Sequence, residues 1–155
     1  MAAFRARVVT VSDGVVAGSR EDRSGAALAE RLEAAGFAVE REVVADGAQP
    51  VAQALTRLTS EFAGLVVTTG GTGFGPRDLT PEGTRLVIER EAPGMAEAMR
   101  LVSPLGRLSR GLAGAVGASL VLNVPGSTAG AVECLEAVID VIPHALELLA
   151  GGRPH

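Results

Sequence analysis

The sequence predicts a single α/β domain spanning residues 1–155, doubly wound around a mostly parallel sheet with helices on both faces. Three observations carry this prediction. Short runs of apolar β-formers alternate with amphipathic stretches long enough to serve as crossover helices. The runs are apolar at successive positions, as strands covered on both faces require. Finally, Ser12-Asp13-Gly14, Asp46-Gly47, Thr69 to Asp78 and Pro125-Gly126-Ser127 each follow such a run, so one edge of the sheet gathers them all.

In order, Arg7 to Val11 reads as a buried strand, followed by a flexible loop to about Arg23. Ala26, Ala27, Leu28, Leu32 and Ala35 recur at helical spacing, with Ser24 as the candidate N-cap and Gly36 as the stop. Phe37 to Val44 forms a second strand. Pro50 to Phe62 is a helix with Val51, Ala54, Leu55, Leu58 and Phe62 on one face, and Leu65 to Thr68 is the third strand. A helix capped by Thr80 follows, running on through Thr84 to Glu91, and Pro93-Gly94 separates it from a helix over Met95 to Leu101. Leu112 to Val116 and Leu120 to Val124 read as a strand pair around Gly117-Ala118, with the second equally suited to a central parallel position. Val132, Leu135, Ile139, Ile142, Ala145, Leu146 and Leu149 mark one long terminal helix bent at Pro143.

The most informative stretch is Thr68-Thr69-Gly70-Gly71-Thr72-Gly73-Phe74-Gly75-Pro76-Arg77-Asp78-Leu79-Thr80-Pro81-Glu82. Its glycines allow positive φ and bring bare backbone close to a ligand, so that N–H groups converge on an anion. Thr68, Thr69 and Thr72 add hydroxyl donors, and the helix start at Thr80-Pro81 faces the loop with its positive end. A Walker A loop is excluded because it needs a lysine, and all fourteen basic residues are arginine. The Gly70 to Gly75 spacing also does not match a dinucleotide fingerprint.

Composition narrows the function further. A net charge of -4, no Trp, no Tyr and only four Phe argue against a nucleic-acid partner, which needs basic grooves and stacking platforms. Cys134 stands alone and reads as a small buried hydrophobe. His144 and His155 are too few and too far apart for a zinc site. No signal-like or membrane-spanning stretch is evident, so a cytoplasmic protein is expected. At the gathered edge, Asp46 and Asp78 are suited to Mg²⁺, which favours one or two carboxylates together with water and substrate phosphates. Each acid also has a local role open to it: Asp46 in an Asp-Gly turn, Asp78 as a cap near Thr80, Asp13 in shaping its own turn. Arg77 either joins the site or faces solvent.

Taken together, these residues resemble the molybdopterin adenylyltransferase family, the MogA/MoaB type of molybdenum cofactor biosynthesis protein, which is related to the G domains of plant Cnx and animal gephyrin. The likeness rests on Ser12-Asp13, Ser24-Gly25, Asp46, Thr69 to Glu82, Pro93 to Met95, Leu108 to Arg110 and Asn123 to Ser127, and covers nearly the whole chain. It implies attack of the terminal phosphate of molybdopterin on the α-phosphorus of ATP, with Mg²⁺, giving adenylyl-molybdopterin and pyrophosphate. By the same likeness Asp46 and Asp78 are the catalytic, metal-associated acids and Gly70, Gly71, Thr72 and Gly73 bind phosphate. Ser12, Asp13, Ser24, Gly25, Thr69, Pro81, Glu82, Ser109, Arg110, Pro125, Gly126 and Ser127 border substrate or nucleotide. A homotrimer is implied, with hexamers in some members, and the molybdate-inserting enzyme as a partner. Pro125-Gly126-Ser127-Thr128 looks more like MoaB-type and short Mog-type members than the longer MogA enzymes, which leaves a noncatalytic molybdopterin-binding or scaffold subunit of the MoaB type as the alternative.

Overall fold

A computed structural model describes residues 3–152. The strands are β1 (Arg5–Val11), β2 (Ala38–Val44), β3 (Gly64–Thr69), β4 (Arg90–Glu91), β5 (Ala113–Val116) and β6 (Ser119–Val124). The helices are α1 (Asp13–Val16), α2 (Arg23–Ala34), α3 (Ala48–Thr59), α4 (Thr80–Arg85), α5 (Pro93–Arg100), α6 (Thr128–Val138) and α7 (Ile142–Leu149), with a 3-10 turn over Pro104–Leu108. The sheet has the order β2-β1-β3-β6-β5-β4. The first four strands in that order are mutually parallel, while β5 and β4 add an antiparallel border.

Strands β3 and β6 are buried at every position, as their largely apolar character predicts, and the polar Thr68, Thr69, Ser119 and Asn123 are buried with them. Their side chains alternate between two cores. Leu65, Val67, Leu120 and Leu122 meet Leu28, Leu32, Leu135 and Ile142 under α2, α6 and α7. Val66 and Val121, with Val9 of β1, meet Val51, Leu55 and Leu58 of α3 on the other face. Each fully buried Leu contributes about 1.5–3 kcal/mol, so both helical layers are held by the sheet itself.

Several expectations need correction, each for a physical reason. The loop after β1 is not a flexible run to Arg23: it opens with α1, which Ser12 Oγ caps by accepting from Val15 N at 3.2 Å. The cap of α2 is Asp22, whose Oδ1 accepts from Gly25 N at 3.0 Å, and Ser24 lies inside the helix, buried. Thr80 is the first helical residue of α4 rather than its cap, and its hydroxyl donates instead to the Gly70 carbonyl at 2.9 Å.

Residues Thr84 to Glu91 do not form a helix throughout, because α4 ends at Arg85. Glu89 N and Ala92 N donate to Ala115 and Ala113 carbonyls at 3.0 and 2.8 Å, so pairing with β5 replaces the helical bonds. The expected terminal helix is two helices. Pro143, which has no N–H to offer, stands in the first turn of α7, where no partner is needed. Both readings of the last strand hold together, since β6 is antiparallel to β5 and parallel to β3. His144 is exposed on α7, and His155 lies outside the described residues. No helix among the described residues is long and apolar enough to cross a membrane.

Candidate active site at the carboxyl edge of the sheet

Because β2, β1, β3 and β6 run in parallel, their carboxyl ends share one rim. The rim holds a cleft of about 780 Å³ lined by Ser12, Ser24, Asp46, Thr69, Gly70, Gly71, Asp78, Gly126 and Ser127. All four turns singled out in the sequence meet there.

The glycine loop is a fixed cradle. Gly70 and Gly71 have φ of +102° and +69°, a region costly for residues with a Cβ. Gly70 N donates to the Val124 carbonyl at 3.1 Å and Thr80 N to the Gly71 carbonyl at 3.0 Å, tying the loop to β6 and α4. Thr69 Oγ1 donates to the Pro125 carbonyl at 2.8 Å and shares a hydrogen bond with Ser24 Oγ at 3.0 Å. Ser24 therefore braces the strand ends as well as facing the cleft. Asp78 does not cap α4; its Oδ2 accepts from Gly75 N at 2.9 Å and closes the turn beyond Gly73.

Arg110 grips the same loop without lining the cleft. Its Nε donates to the Gly73 carbonyl at 2.8 Å, its Nη2 to the Asp78 carbonyl at 2.6 Å and its Nη1 to Glu82 Oε2 at 2.6 Å. Arg110 N also donates to the Thr72 carbonyl at 2.9 Å. Arg110 and Glu82, expected beside the ligand, are thus occupied with each other and with the loop backbone. Asp13, Gly25 and Pro81 do not line the cleft themselves, whereas Thr72, Gly73 and Ser109 line its neighbour, described below.

The two acids share the polar cleft. Asp46 Oδ2 accepts from Asp13 N at 2.9 Å, and Asp46 N donates to Asp13 Oδ1 at 3.1 Å, a reciprocal bridge between the β1 and β2 turns. Arg77 reaches this bridge from an exposed position: it donates to Asp13 Oδ2 at 2.6 Å and to the Asp46 carbonyl at 3.1 Å. The hydrogen bond from Arg77 is the main reason the Asp13 carboxyl titrates below its usual range. For Asp46 the direction is upward: burial is the leading cause, with repulsion from Asp13 and Asp78 adding to it and the Asp13 backbone bond opposing it.

A carboxyl raised in the fold is ionised at a cost to stability as pH rises through that value from its ordinary 3.8. Without added cation, Asp46→Asn is therefore expected to gain stability over the native protein at neutral pH, a gain that fades below about pH 4, where both side chains are neutral. Urea unfolding at the two pH values checks this; a loss confined to neutral pH would contradict it. The donor set also fits a hard divalent cation, since two carboxylates face one cavity with no cationic side chain among the described residues bound to either. Among the described residues, no three His, Cys, Asp or Glu side chains gather as a fuller metal cage.

A second cavity, of about 540 Å³, shares Gly71, Asp78, Gly126 and Ser127 with the first and continues over Met99, Leu105, Leu108, Ser109 and Cys134. The cleft is thus bipartite, with a polar half and a more apolar half meeting at the glycine loop. Sequence reasoning missed Met99, Leu105 and Leu108 as lining residues. The available signal was the concentration of leucines in a Pro- and Gly-bearing turn, where Leu105 and Leu108 remain 73% and 56% exposed. It also missed Asp22, which accepts from Thr10 Oγ1 at 2.7 Å and Arg41 Nη2 at 2.8 Å in addition to capping α2.

A glycine-rich loop, two carboxylates and an adjoining apolar recess at the strand ends define a doubly wound α/β protein whose cleft is suited to phosphorylated ligands. A family model described as "probable molybdopterin binding domain" matches residues 7–144, and the chain belongs to that family. It is 39% identical over 153 residues to the molybdopterin adenylyltransferase of Helicobacter pylori strain J99, covering 94% of this chain and 87% of that one. The Escherichia coli K12 molybdopterin adenylyltransferase is 34% identical over 171 residues, with 97% and 88% covered. Among solved structures, the molybdopterin biosynthesis enzyme MoaB of Thermus thermophilus superposes with a TM-score of 0.90 at 45% identity, covering 96% of this chain and 97% of that one.

Proposed function

We propose that this protein is a molybdopterin adenylyltransferase of molybdenum cofactor biosynthesis. The observation that carries the reading is that Asp46, Asp78 and the Gly70-Gly71 cradle line one cleft that opens into an apolar recess. A terminal phosphate oxygen of molybdopterin attacks the α-phosphorus of ATP; the new P–O bond forms as the bond to the β-phosphate breaks, and pyrophosphate leaves. No covalent protein intermediate is needed, so the work of the site is alignment and charge neutralisation. The polar half takes the polyphosphate, and the reacting groups meet where the halves join, at Gly71, Asp78, Gly126 and Ser127.

The bare N–H groups of the loop and the hydroxyls of Ser12, Ser24 and Ser127 offer donors to phosphate oxygens. Asp46 and Asp78 would hold Mg²⁺, which when bound neutralises phosphate charge. The Asp13-Arg77 pair fixes Asp46 through the two backbone bridges. The family likeness adds to this reading one domain over residues 1–155, a homotrimer or hexamer, a cytoplasmic setting and delivery of the product to a molybdate-inserting enzyme.

The test combines purified protein, molybdopterin, ATP and Mg²⁺. Pyrophosphate and adenylyl-molybdopterin should form in equal amounts, detected by a coupled assay and mass spectrometry. Molybdopterin bound with ATP left intact would instead make the chain a noncatalytic binding subunit.

A further inference from the structure

Nearly every arginine around the polar cleft is already paired with an acid. Arg77 is bound to Asp13, Arg23 to Glu21, Arg41 to Asp22 and Arg110 to Glu82. Arg20 lines the cleft with Asp46, Asp78 and Gly71, yet its guanidinium makes no hydrogen bond or ion pair among the described residues.

Arg20 is nevertheless seated. The Gly14 carbonyl accepts from Ser19 N at 2.9 Å, Arg20 N at 3.2 Å and Ser19 Oγ at 3.2 Å, drawing the turn after α1 back onto the helix. The positive φ of Gly18, +78°, permits that reversal. A Cβ on Gly14 would stand 2.7 Å from Arg20 Cδ and 3.0 Å from its Cγ, so the stem of the arginine rests on bare backbone. The preceding residue, Asp13, donates its N–H to Asp46. The seat of Arg20 and the support of Asp46 are therefore adjoining peptide units.

The acids in the cleft divide in the same way. Glu21 and Asp22 are neutralised by arginines, whereas among the described residues the carboxylates of Asp46 and Asp78 receive only backbone N–H groups. Among the described residues lining the cleft, the open charges are two anions and one cation. A triphosphate entering with its divalent ion matches the two anions through that ion, and its outer phosphates, which need a donor of their own, match the planar fork of an arginine.

We propose that Arg20 is a substrate-contact residue that binds the β- and γ-phosphates of ATP and holds the departing pyrophosphate. The assignment rests on the adenylyltransferase reading above and names the part of the substrate that this side chain recognises. Calorimetric titration with the Mg²⁺ complexes of ATP and pyrophosphate, and with AMP, tests it on native protein, Arg20→Gln and Arg20→Lys. Arg20→Gln should weaken ATP and pyrophosphate about tenfold and leave AMP within about twofold, with Arg20→Lys recovering part of the loss. Equal weakening of ATP and AMP would mark a merely structural role and overturn the proposal, as would unchanged ATP affinity in Arg20→Gln while native protein binds ATP. Native protein that binds none of the three ligands would bring down the adenylyltransferase reading itself, and this assignment with it.

Discussion

Asp78→Asn is expected to lower the rate of adenylyl transfer by at least about 100-fold, or roughly 2.7 kcal/mol of transition-state stabilisation, while leaving the protein folded. The substitution is nearly isosteric, and the amide oxygen of asparagine still accepts from Gly75 N, which Asp78 Oδ2 meets at 2.9 Å. The loop therefore keeps its closing bond and loses only a charge. That charge faces the same cleft as Asp46, at the junction with the apolar recess. Pyrophosphate release and urea unfolding on the same preparation separate the two effects. Turnover within about tenfold of native would mean that Asp78 only locks its turn.

Arg110→Ala is expected to cost about 2–3 kcal/mol of stability, lowering Tm by roughly 5–10 °C. The alanine removes donors from the Gly73 and Asp78 carbonyls and from Glu82. The bond to Glu82, a side chain 46% exposed, is screened by solvent and contributes little, so most of the cost comes from the two loop carbonyls. Arg110→Lys should recover only a small part, because one ammonium cannot span three acceptors arranged around a planar fork. Amides of residues 73–78 should exchange with solvent faster in both variants, since the loop loses its anchor to the segment before β5. A Tm within about 1 °C of native for Arg110→Ala would show that the anchor is dispensable.

The contrast between Asp78 and Arg110 explains what the chain disclosed in advance. Asp46 and the first loop glycines come just after strand ends, so strand direction places them on one rim, and the short turn closed by Gly75 N brings Asp78 there too. Local chemistry decides such positions, and local chemistry is readable. Capping was harder to read, because Ser24 and Asp22 are both good caps two residues apart. Only the fold shows that Asp22 also answers Thr10 and Arg41, leaving Ser24 to meet Thr69.

The same limit applies further along. Residues Thr84 to Glu91 have helical character, but β5 supplies a competing ladder to Glu89 and Ala92 that no window of sequence contains. Family likeness alone places Arg110 beside substrate or nucleotide, and no local pattern announces its grip on the loop. Its three acceptors come from positions 28 to 37 residues away, so this anchoring is a tertiary fact. The apolar half of the cleft was hidden for a similar reason, as its walls are shared between α5, the 3-10 turn and α6.

The borders of the sheet have a consequence of their own. On one side β2 carries Glu40, Arg41 and Glu42, engaged with Arg5, Asp22 and Arg57. On the other, β4 offers only Arg90 and Glu91. Backbone templating by a neighbouring molecule meets a fence of charge at one margin and almost no length at the other, which is how natural sheets escape fibrous growth. Copies of this chain that come together must therefore do so through side-chain surfaces, and the ribbon of hydrogen bonds stays confined to a single molecule.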